Sequence, residues 1–355
     1  MFLMDSLVTN ASSESPHASC SAEESAAIAR ATHPSSPQSA PPPAEDHVDG
    51  AGSPCPTPLA WQEVVTNVRK QSTSWQTDGR IPLSGRTLGT GMPLYLLGGA
   101  MADSELMSLL AWLLQDEYRC VMVDYPSLAD LSASRRLSVA DLSQALRDVA
   151  DQHDDERIHI YGSSLGAAVA LQAAHDTPER IGRMILHAAS AHLELSIGER
   201  MAIAMGRWFT RPIGCWPGAA AVFRWNHARW FPPFDATRWG FLEMKLTATP
   251  TSLIARRVQT HASFDLREKL ALVTPRTVLL TTEGDGATLQ RYQKPLAEGL
   301  PHCDVHEMDA TGHFPHLTHP HRLAKLVRQV IPLQSAEEAF TTEQTVEQSY
   351  ALENS

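Results

Sequence analysis

The sequence describes an acidic chain of 355 residues whose composition excludes several classes of protein. Lysine and arginine number 29 against 40 aspartate and glutamate residues, which gives a formal net charge of −11. Because a field of that sign repels phosphate backbones, nucleic acid is not expected as a partner. The five cysteines are widely spaced and form no CxxC pair, so neither a disulfide framework nor a zinc site is predicted. We expect a reducing compartment and a cytoplasmic protein.

The two ends of the chain differ in composition from its middle. Residues 1–57 are rich in serine, alanine and proline, and such a stretch buries too little apolar surface to offset its conformational entropy. We expect a disordered N-terminal extension there and a disordered acidic tail over residues 334–355. The start does not have the pattern of a secretory signal, because Asp5 interrupts its apolar run and the first basic residue is Arg30. No apolar run reaches the roughly 18–20 residues of a membrane span.

Between these ends, short apolar runs alternate with segments of helical periodicity. The runs predict buried strands at residues 93–97, 120–123, 157–161, 183–187, 277–281 and 304–308. The periodic segments predict helices at residues 104–114, 141–149, 165–174 and 322–331. This alternation is typical of an α/β fold with a mostly parallel central sheet flanked by helices.

One long interval, residues 191–269, interrupts the alternation. It follows the fourth predicted strand and carries five of the eight tryptophans and six of the nine phenylalanines. We predict that it forms an inserted helical cap on a core built from residues 58–190 and 270–333. Most of its aromatic side chains are expected to form the cap's own core, and some are expected to line an apolar pocket.

The segment after the third predicted strand carries the strongest chemical signal. It contains Gly162-x-Ser164-x-Gly166, the pattern of a nucleophile elbow in which a strand turns sharply into a helix. Glycines are needed where strand and helix approach closely, and the helix N-terminus favours developing negative charge. Ser164 is the predicted nucleophile, while Ser163 occupies a variable position of the pattern. An ordinary serine in a glycine-rich turn is the alternative interpretation.

A serine hydroxyl needs a base, and the acid that orients this base is expected before it in the chain. His313 follows Gly312 just before the final predicted helix and is the predicted base. Asp285 follows the fifth predicted strand, at the strand end where catalytic groups gather in open α/β sheets. It is the predicted acid, with Glu283 as its competitor. Asp309, closer to the histidine in sequence, is interpreted as structural.

Two backbone N–H groups are predicted to stabilise the oxyanion that forms during acyl transfer. One belongs to Leu165, the residue after the predicted nucleophile. The other is assigned to Ala100, in the Gly98-Gly99-Ala100-Met101 loop after the first predicted strand. A plain glycine turn is the alternative interpretation of that loop.

Strand, Gly-Gly loop, elbow, cap, acid and histidine occur in an order that resembles the α/β-hydrolase superfamily, over residues from about 59 to 333. The resemblance implies an α/β-hydrolase fold and a Ser-Asp-His triad that works without a metal or an organic cofactor. Two features depart from the common pattern of the family. Gly98-Gly99 stands where many members carry His-Gly, and the residues from Asp124 to Ser127 stand where many carry Arg-Gly-x-Gly.

Three functional hypotheses follow from these features. The first is a serine hydrolase acting on an ester, thioester or related acyl bond of a small, apolar substrate. The second is a non-catalytic binding scaffold, because Tyr125-Pro126, the Ser-Leu-Gly elbow and Phe314-Pro315 are somewhat similar to maspardin. The third is a peripheral membrane enzyme whose cap touches lipid. The sequence specifies neither the acyl group nor the oligomeric state.

Overall fold

One eight-stranded sheet forms the centre of the protein. The structure, a computed structural model, describes residues 60–130, 136–233 and 235–333, so the predicted N-terminal extension and acidic tail lie outside the described residues. In chain order the strands are β1 (Thr73–Gln76), β2 (Ser84–Leu88), β3 (Met92–Leu97), β4 (Tyr118–Asp124), β5 (Ile158–Ser163), β6 (Ile181–His187), β7 (Arg276–Thr282) and β8 (Cys303–Met308).

The strands are arranged in the order β1-β2-β4-β3-β5-β6-β7-β8. β1 pairs antiparallel with β2, and β2 pairs antiparallel with β4. Every other neighbouring pair is parallel. This sheet, with helices on both faces, confirms the predicted α/β-hydrolase fold class. The sequence pattern missed β1 and β2, because their mostly polar residues do not form the continuous apolar run of a strand that is buried on both faces.

Helices cover both faces of this sheet. They are α1 (Trp61–Gln71), α2 (Ser108–Leu114), α3 (Val139–Gln152), α4 (Leu165–Asp176), α5 (Ile197–Gly206), α6 (Ala219–His227), α7 (Ala236–Ala248), α8 (Thr251–Ala262), α9 (Gly286–Gly299), α10 (Pro315–Thr318) and α11 (Pro320–Val330). The predicted helix at residues 104–114 divides into a 3₁₀ turn, Ser104–Met107, followed by α2. α3 begins at a capping box, in which the side chains of Ser138 and Asp141 each accept a hydrogen bond from the other's backbone N–H.

The alternation of side chains along β3 shows how the two layers of the core form. Leu94 and Leu96 pack into the cluster that contains the buried faces of α1, α2 and α11. Tyr95 and Leu97 point to the opposite face and pack with α3 and α4. Successive residues of a strand point to opposite faces, so a strand that is apolar throughout is covered on both sides. Its C-terminal end lies beside the elbow that follows β5, since β3 and β5 pair in parallel.

Helices α5 to α8 lie between β6 and β7, in the interval for which the sequence predicts a helical cap. Two aromatic side chains of α7, Trp239 and Phe241, are buried in the core cluster of α1 and α2. The ring of Phe241 stacks on Trp61 of α1, with ring centroids 4.7 Å apart. α7 is therefore held against the core by apolar contact. Within the described ranges, no helix combines the length and the apolar character needed to cross a membrane.

Candidate active site

Ser164 lies at a sharp turn between β5 and α4. Its φ of 53° and ψ of −111° are a backbone conformation that residues with a side chain rarely adopt. The turn is held by a hydrogen bond of 2.9 Å that Ser164 N donates to the carbonyl of His187, at the end of β6. The strained backbone presents the serine at the carboxyl edge of the sheet, as the nucleophile-elbow pattern predicts.

The two glycines of this pattern lie where backbones approach closely. A Cβ at Gly166 would lie 2.3 Å from the carbonyl oxygen of Leu97 in β3. A Cβ at Gly162 would lie 2.8 Å from the carbonyl oxygen of Gly166. Both distances are too short for a real Cβ, so the elbow accepts only glycine at these positions without a backbone shift. Gly166 N also donates to the carbonyl of Gly98 at 3.1 Å, which ties α4 to the loop after β3.

Asp285 and His313 are joined directly by a hydrogen bond. His313 Nδ1 donates to Asp285 Oδ1 at 2.6 Å. The Asp285 side chain lies in the 3₁₀ turn after β7 and is almost fully buried, whereas the His313 ring is partly exposed. His313 and Ser164 line the same cavity. The structure therefore brings the three predicted triad residues to one place, from three separate parts of the chain.

His187 is a site residue that the sequence interpretation missed. It is fully buried at the end of β6, and its Nε2 donates to Asp285 Oδ2 at 2.9 Å. Its Nδ1 lies 3.2 Å from Ser163 Oγ and accepts from that hydroxyl. The hydroxyl of Thr282 also donates to Asp285 Oδ2, at 2.7 Å. Asp285 is thus fixed by two histidines and a threonine.

The surroundings of Asp285 keep this carboxylate ionised. Burial by itself acts to raise the pKa of Asp285. Electrostatic attraction to the His187 and His313 rings, and the hydrogen bonds that both rings donate, outweigh burial and hold the pKa well below its usual range. A carboxylate that stays charged can fix the orientation of an imidazole and stabilise its protonated form.

Glu283, the competing acid, contacts the histidine loop rather than the histidine ring. Its Oε2 accepts a hydrogen bond of 3.1 Å from the backbone N–H of Ala310. Asp309 contributes its backbone carbonyl, which accepts from Arg322 at 2.7 Å. Both residues therefore shape the loop that carries His313.

Trp230 of the interval between β6 and β7 covers the point where the acid loop meets the histidine loop. Gly284 N donates to the carbonyl of Thr311 at 2.9 Å, which joins the two loops. A Cβ at Gly312 would lie 2.5 Å from the Trp230 ring, and a Cβ at Gly284 would lie 2.8 Å from it. These glycines leave room for the indole, and the indole holds both loops in place.

The loop after β3 faces the serine from the other side. A Cβ at Gly99 would lie 3.9 Å from Ser164 Oγ, and Ala100 lines the cavity. The half-buried Arg257 of α8 donates to the carbonyls of Ala100 and Ala102, at 3.2 and 3.4 Å, which fixes the loop. Leu165 is the first residue of α4, where an N–H has no acceptor within the helix. Of the two predicted oxyanion donors, Ala100 lines the cavity, and Leu165 directly follows Ser164, which lines it as well.

The cavity at these residues has a volume of about 130 Å³ and is largely apolar. Most of the other lining residues come from the interval between β6 and β7. They are Leu193, Leu195, Phe223, His227, Leu246, Ile254, Val258 and His261. Met101, Phe314 and His316 complete this part of the lining. This composition suits a small apolar group next to a few polar contacts.

Three side chains of the site have the composition of a metal-binding group. One ligand atom from each of His187, Asp285 and His313 lies within 4.8 Å of the other two. The carboxylate oxygens and ring nitrogens of this group are already joined by the two hydrogen bonds given above. These hydrogen bonds account for the short distances between the three side chains. That the protein works without a metal or an organic cofactor stays a prediction.

Two buried histidines of the cavity make stability depend on acidity. Burial lowers the pKa of His261 to about 4, and burial together with electrostatic repulsion from the His187 and His313 rings lowers that of His316 to about 3. Above the ordinary histidine pKa of about 6.5, both rings are neutral whether the chain is folded or not. As the pH falls below that value, only the unfolded chain takes up these protons, so stability is lost.

We expect the free energy of unfolding, measured with urea, to fall by about 4 kcal/mol between pH 7 and pH 5 from these two rings. His261→Gln should reduce the measured loss by about 2 kcal/mol. His302→Gln, at an exposed position, is the control and should leave the loss unchanged. An unfolding free energy that stays constant across this range would contradict the prediction.

Comparison with known proteins identifies the family. Residues 89–326 match the sequence model of the alpha/beta hydrolase family, and the chain belongs to that family, as predicted. A hydrolase from Pseudomonas aeruginosa shares the fold with a TM-score of 0.61 at 19% identity, over 74% of this chain and 98% of that one.

Two further proteins are similar over most of their own length. The enol-lactonase from Burkholderia xenovorans has a TM-score of 0.61 at 15% identity, over 72% of this chain and 99% of that one. The pimeloyl-acyl-carrier-protein methyl ester esterase of Photobacterium profundum is 25% identical over 280 residues, which cover 72% of this chain and 97% of that protein.

Proposed function

We propose that this chain is a serine hydrolase that cleaves an ester, thioester or related acyl bond of a small, apolar substrate. The observation that carries the proposal is the 2.6 Å hydrogen bond between His313 and Asp285, next to a cavity that His313 shares with Ser164. The relative from Photobacterium that is named a methyl ester esterase supports an ester among these bonds.

In the first half of the reaction, Ser164 is the nucleophile and His313 is the general base. Because Nδ1 of His313 donates to Asp285, Nε2 is the unprotonated ring nitrogen that takes the serine proton. Ser164 Oγ bonds to the carbonyl carbon, and the carbonyl oxygen becomes an oxyanion that the N–H groups of Leu165 and Ala100 stabilise. The tetrahedral intermediate then expels the leaving group, which takes the proton from His313, and an acyl-enzyme remains.

In the second half, water replaces the leaving group. His313 removes a proton from the water as it attacks the acyl carbon, and a second oxyanion forms at the same donors. Collapse of this intermediate breaks the bond to Ser164 Oγ, which regains its proton from His313. The acid product leaves, and the ionised Asp285 has stabilised the imidazolium in both halves.

We assign His187 as a positioning residue in this mechanism. Its ring connects Asp285 Oδ2 to the hydroxyl of Ser163, the residue directly before the nucleophile. This connection fixes the carboxylate relative to the elbow without contacting the reacting atoms.

The size of the cavity favours a short acyl group. Its volume of about 130 Å³ is similar to that of an apolar cavity of about 150 Å³ that holds one benzene molecule. Residues 191–269 supply Phe223, Leu246 and Ile254 to its lining, which supports their assignment as a cap on a core of residues 58–190 and 270–333. An acyl chain of about six carbon atoms or fewer is the expected substrate group.

The experiment that tests the proposal is labelling with a fluorophosphonate, which forms a covalent bond only with an activated serine. The labelled protein is digested, and mass spectrometry identifies the modified residue. We expect the label on Ser164, and none on protein denatured beforehand. A series of p-nitrophenyl esters should then show the highest kcat/KM for acetate or butyrate and a steep fall for chains of eight carbons or more.

The labelling result also separates this proposal from a binding scaffold. A folded protein that takes up no label and hydrolyses none of the esters would overturn the assignment of Ser164 as an activated nucleophile. The search would then move to binding partners of a non-catalytic member of the family.

A further inference from the structure

Helix α5 carries its apolar side chains on the solvent side. Ile197, Met201 and Met205 follow one another at a spacing of four residues, and all three are exposed, Ile197 to 80%. Within this fully described helix Gly206 alone is buried, where it packs near Ala255 of α8. A surface helix normally turns its apolar stripe toward the core, so the outward stripe on α5 indicates a surface for a partner.

The exposed apolar surface continues after the helix ends. Trp208 is 86% exposed, and the next residue, Phe209, and Trp216 further along the chain are exposed as well. The rings of Phe209 and Trp216 meet edge to face at 5.0 Å, and Trp216 Nε1 donates to Thr251 Oγ1 at 3.0 Å. These contacts hold the surface in a defined shape. We call the following six residues the cap patch: Ile197, Met201, Met205, Trp208, Phe209 and Trp216.

The charges around the cap patch oppose the charge of the whole chain. From Ile197 to Trp216 the sequence has three arginines, Arg200, Arg207 and Arg211, and Glu199 is its one acidic residue, although the chain carries a net charge of −11. Among the described residues, no carboxylate lies within 4.0 Å of Arg200 or Arg211, and both are exposed. Their charges are therefore available to an anionic partner.

We propose that the cap patch docks this protein on the surface of an anionic lipid bilayer. Aliphatic side chains, tryptophan and arginine on one surface are the combination that lies in the boundary between lipid headgroups and acyl chains. Arginines near the surface add electrostatic attraction to anionic lipids. Leu193 and Leu195, just before α5, line the catalytic cavity, so docking through α5 holds that cavity close to the bilayer.

The proposal predicts binding that depends on both the apolar and the basic residues. The full chain should float with vesicles of phosphatidylcholine and phosphatidylglycerol in a density gradient, and much less with phosphatidylcholine alone. The variant Met201→Ser/Trp208→Ser should lose most of this binding. Leu272→Ser is the matched control, because Leu272 is also an exposed apolar residue but lies outside the cap patch, and it should float like wild type.

The basic residues are tested separately by Arg200→Gln and Arg211→Gln. Each substitution should lower the partition coefficient on anionic vesicles by about fivefold, with little change on phosphatidylcholine. Added salt should weaken the binding of the wild type in the same way. Thermal unfolding midpoints show that each variant is folded, and flotation needs no catalysis, so this test is independent of the proposed hydrolase activity.

Three results would overturn the proposal. The first is a wild type that does not bind anionic vesicles at low salt. The second is a double variant that floats as well as the wild type. The third is a wild type that binds no vesicles but forms a dimer in light scattering, when the double variant does not form this dimer. That result would assign the cap patch to contact with a second copy of the chain.

Discussion

Ser164→Ala is expected to lower kcat/KM for a short p-nitrophenyl ester by about 10⁶-fold, as loss of the nucleophile does in serine hydrolases. The substitution removes one oxygen and adds no bulk at a nearly buried position, so the fold should be retained. A residual rate above the uncatalysed reaction is expected, because the oxyanion donors and the cavity remain. Steady-state kinetics with active-site titration measures the loss, and fluorophosphonate labelling should vanish with it.

Ser163→Ala is the matched control for this prediction. The Ser163 hydroxyl donates to His187 Nδ1 and belongs to the network behind Asp285. Its removal should lower kcat by about tenfold or less, because the net contribution of one hydrogen bond is about 1 kcal/mol. If Ser163→Ala lost as much activity as Ser164→Ala, and Ser164→Ala were still labelled, then Ser164 would be the wrong serine and Ser163 the nucleophile.

The central sheet could be predicted from the sequence because its parallel strands are buried on both faces. Such strands appear as continuous apolar runs, as in the Met92–Leu97 strand. Two helices were missed for a different reason. α9 begins with glycine, has no side-chain cap and contains Pro295, so it lacks the local signals of a helix. α1 is held by apolar contacts with α2 and by Trp61 against Phe241, contacts that come from distant parts of the chain.

The site residues also differ in whether neighbouring residues in the sequence or contacts with distant residues reveal them. The elbow is a local pattern, so Ser164 could be named from eight consecutive residues. His187 could not, because its sequence looks like the end of an ordinary strand. Only the parallel pairing of β5 with β6 brings its ring next to Ser163. The rule that catalytic groups gather at the carboxyl ends of neighbouring strands is the signal that would have pointed to it.

Two glycines of the catalytic loops are required by a contact that forms only in the folded protein. Gly284 and Gly312 do not have a positive φ, whereas Gly286 does. Both Gly284 and Gly312 lie against the indole of Trp230. This requirement depends on a side chain more than fifty residues earlier in the chain than Gly284, so neither loop's own sequence reveals it.

Asp285→Asn is expected to lower kcat by about 10⁴-fold with little change in KM, as the same change does in a Ser-His-Asp triad. The side chain keeps its size, but it loses the charge that stabilises the imidazolium. An amide NH₂ facing His313 cannot accept from Nδ1, so the ring is held in the wrong tautomer. An amide also satisfies His187 and Thr282 less well than the carboxylate that now accepts from both.

Glu283→Gln is the matched control, because Glu283 was the competing acid and lies two residues away. Its amide oxygen can still accept from the backbone N–H of Ala310, so kcat should stay within about tenfold of wild type, because weakening one hydrogen bond costs about 1 kcal/mol or less. Urea unfolding of both variants separates catalytic loss from instability. If Glu283→Gln loses more activity than Asp285→Asn while both are folded, Glu283 is the catalytic acid and Asp285 is not. The hydrogen bond of 2.6 Å between Asp285 and His313 would then stabilise the fold without contributing to catalysis.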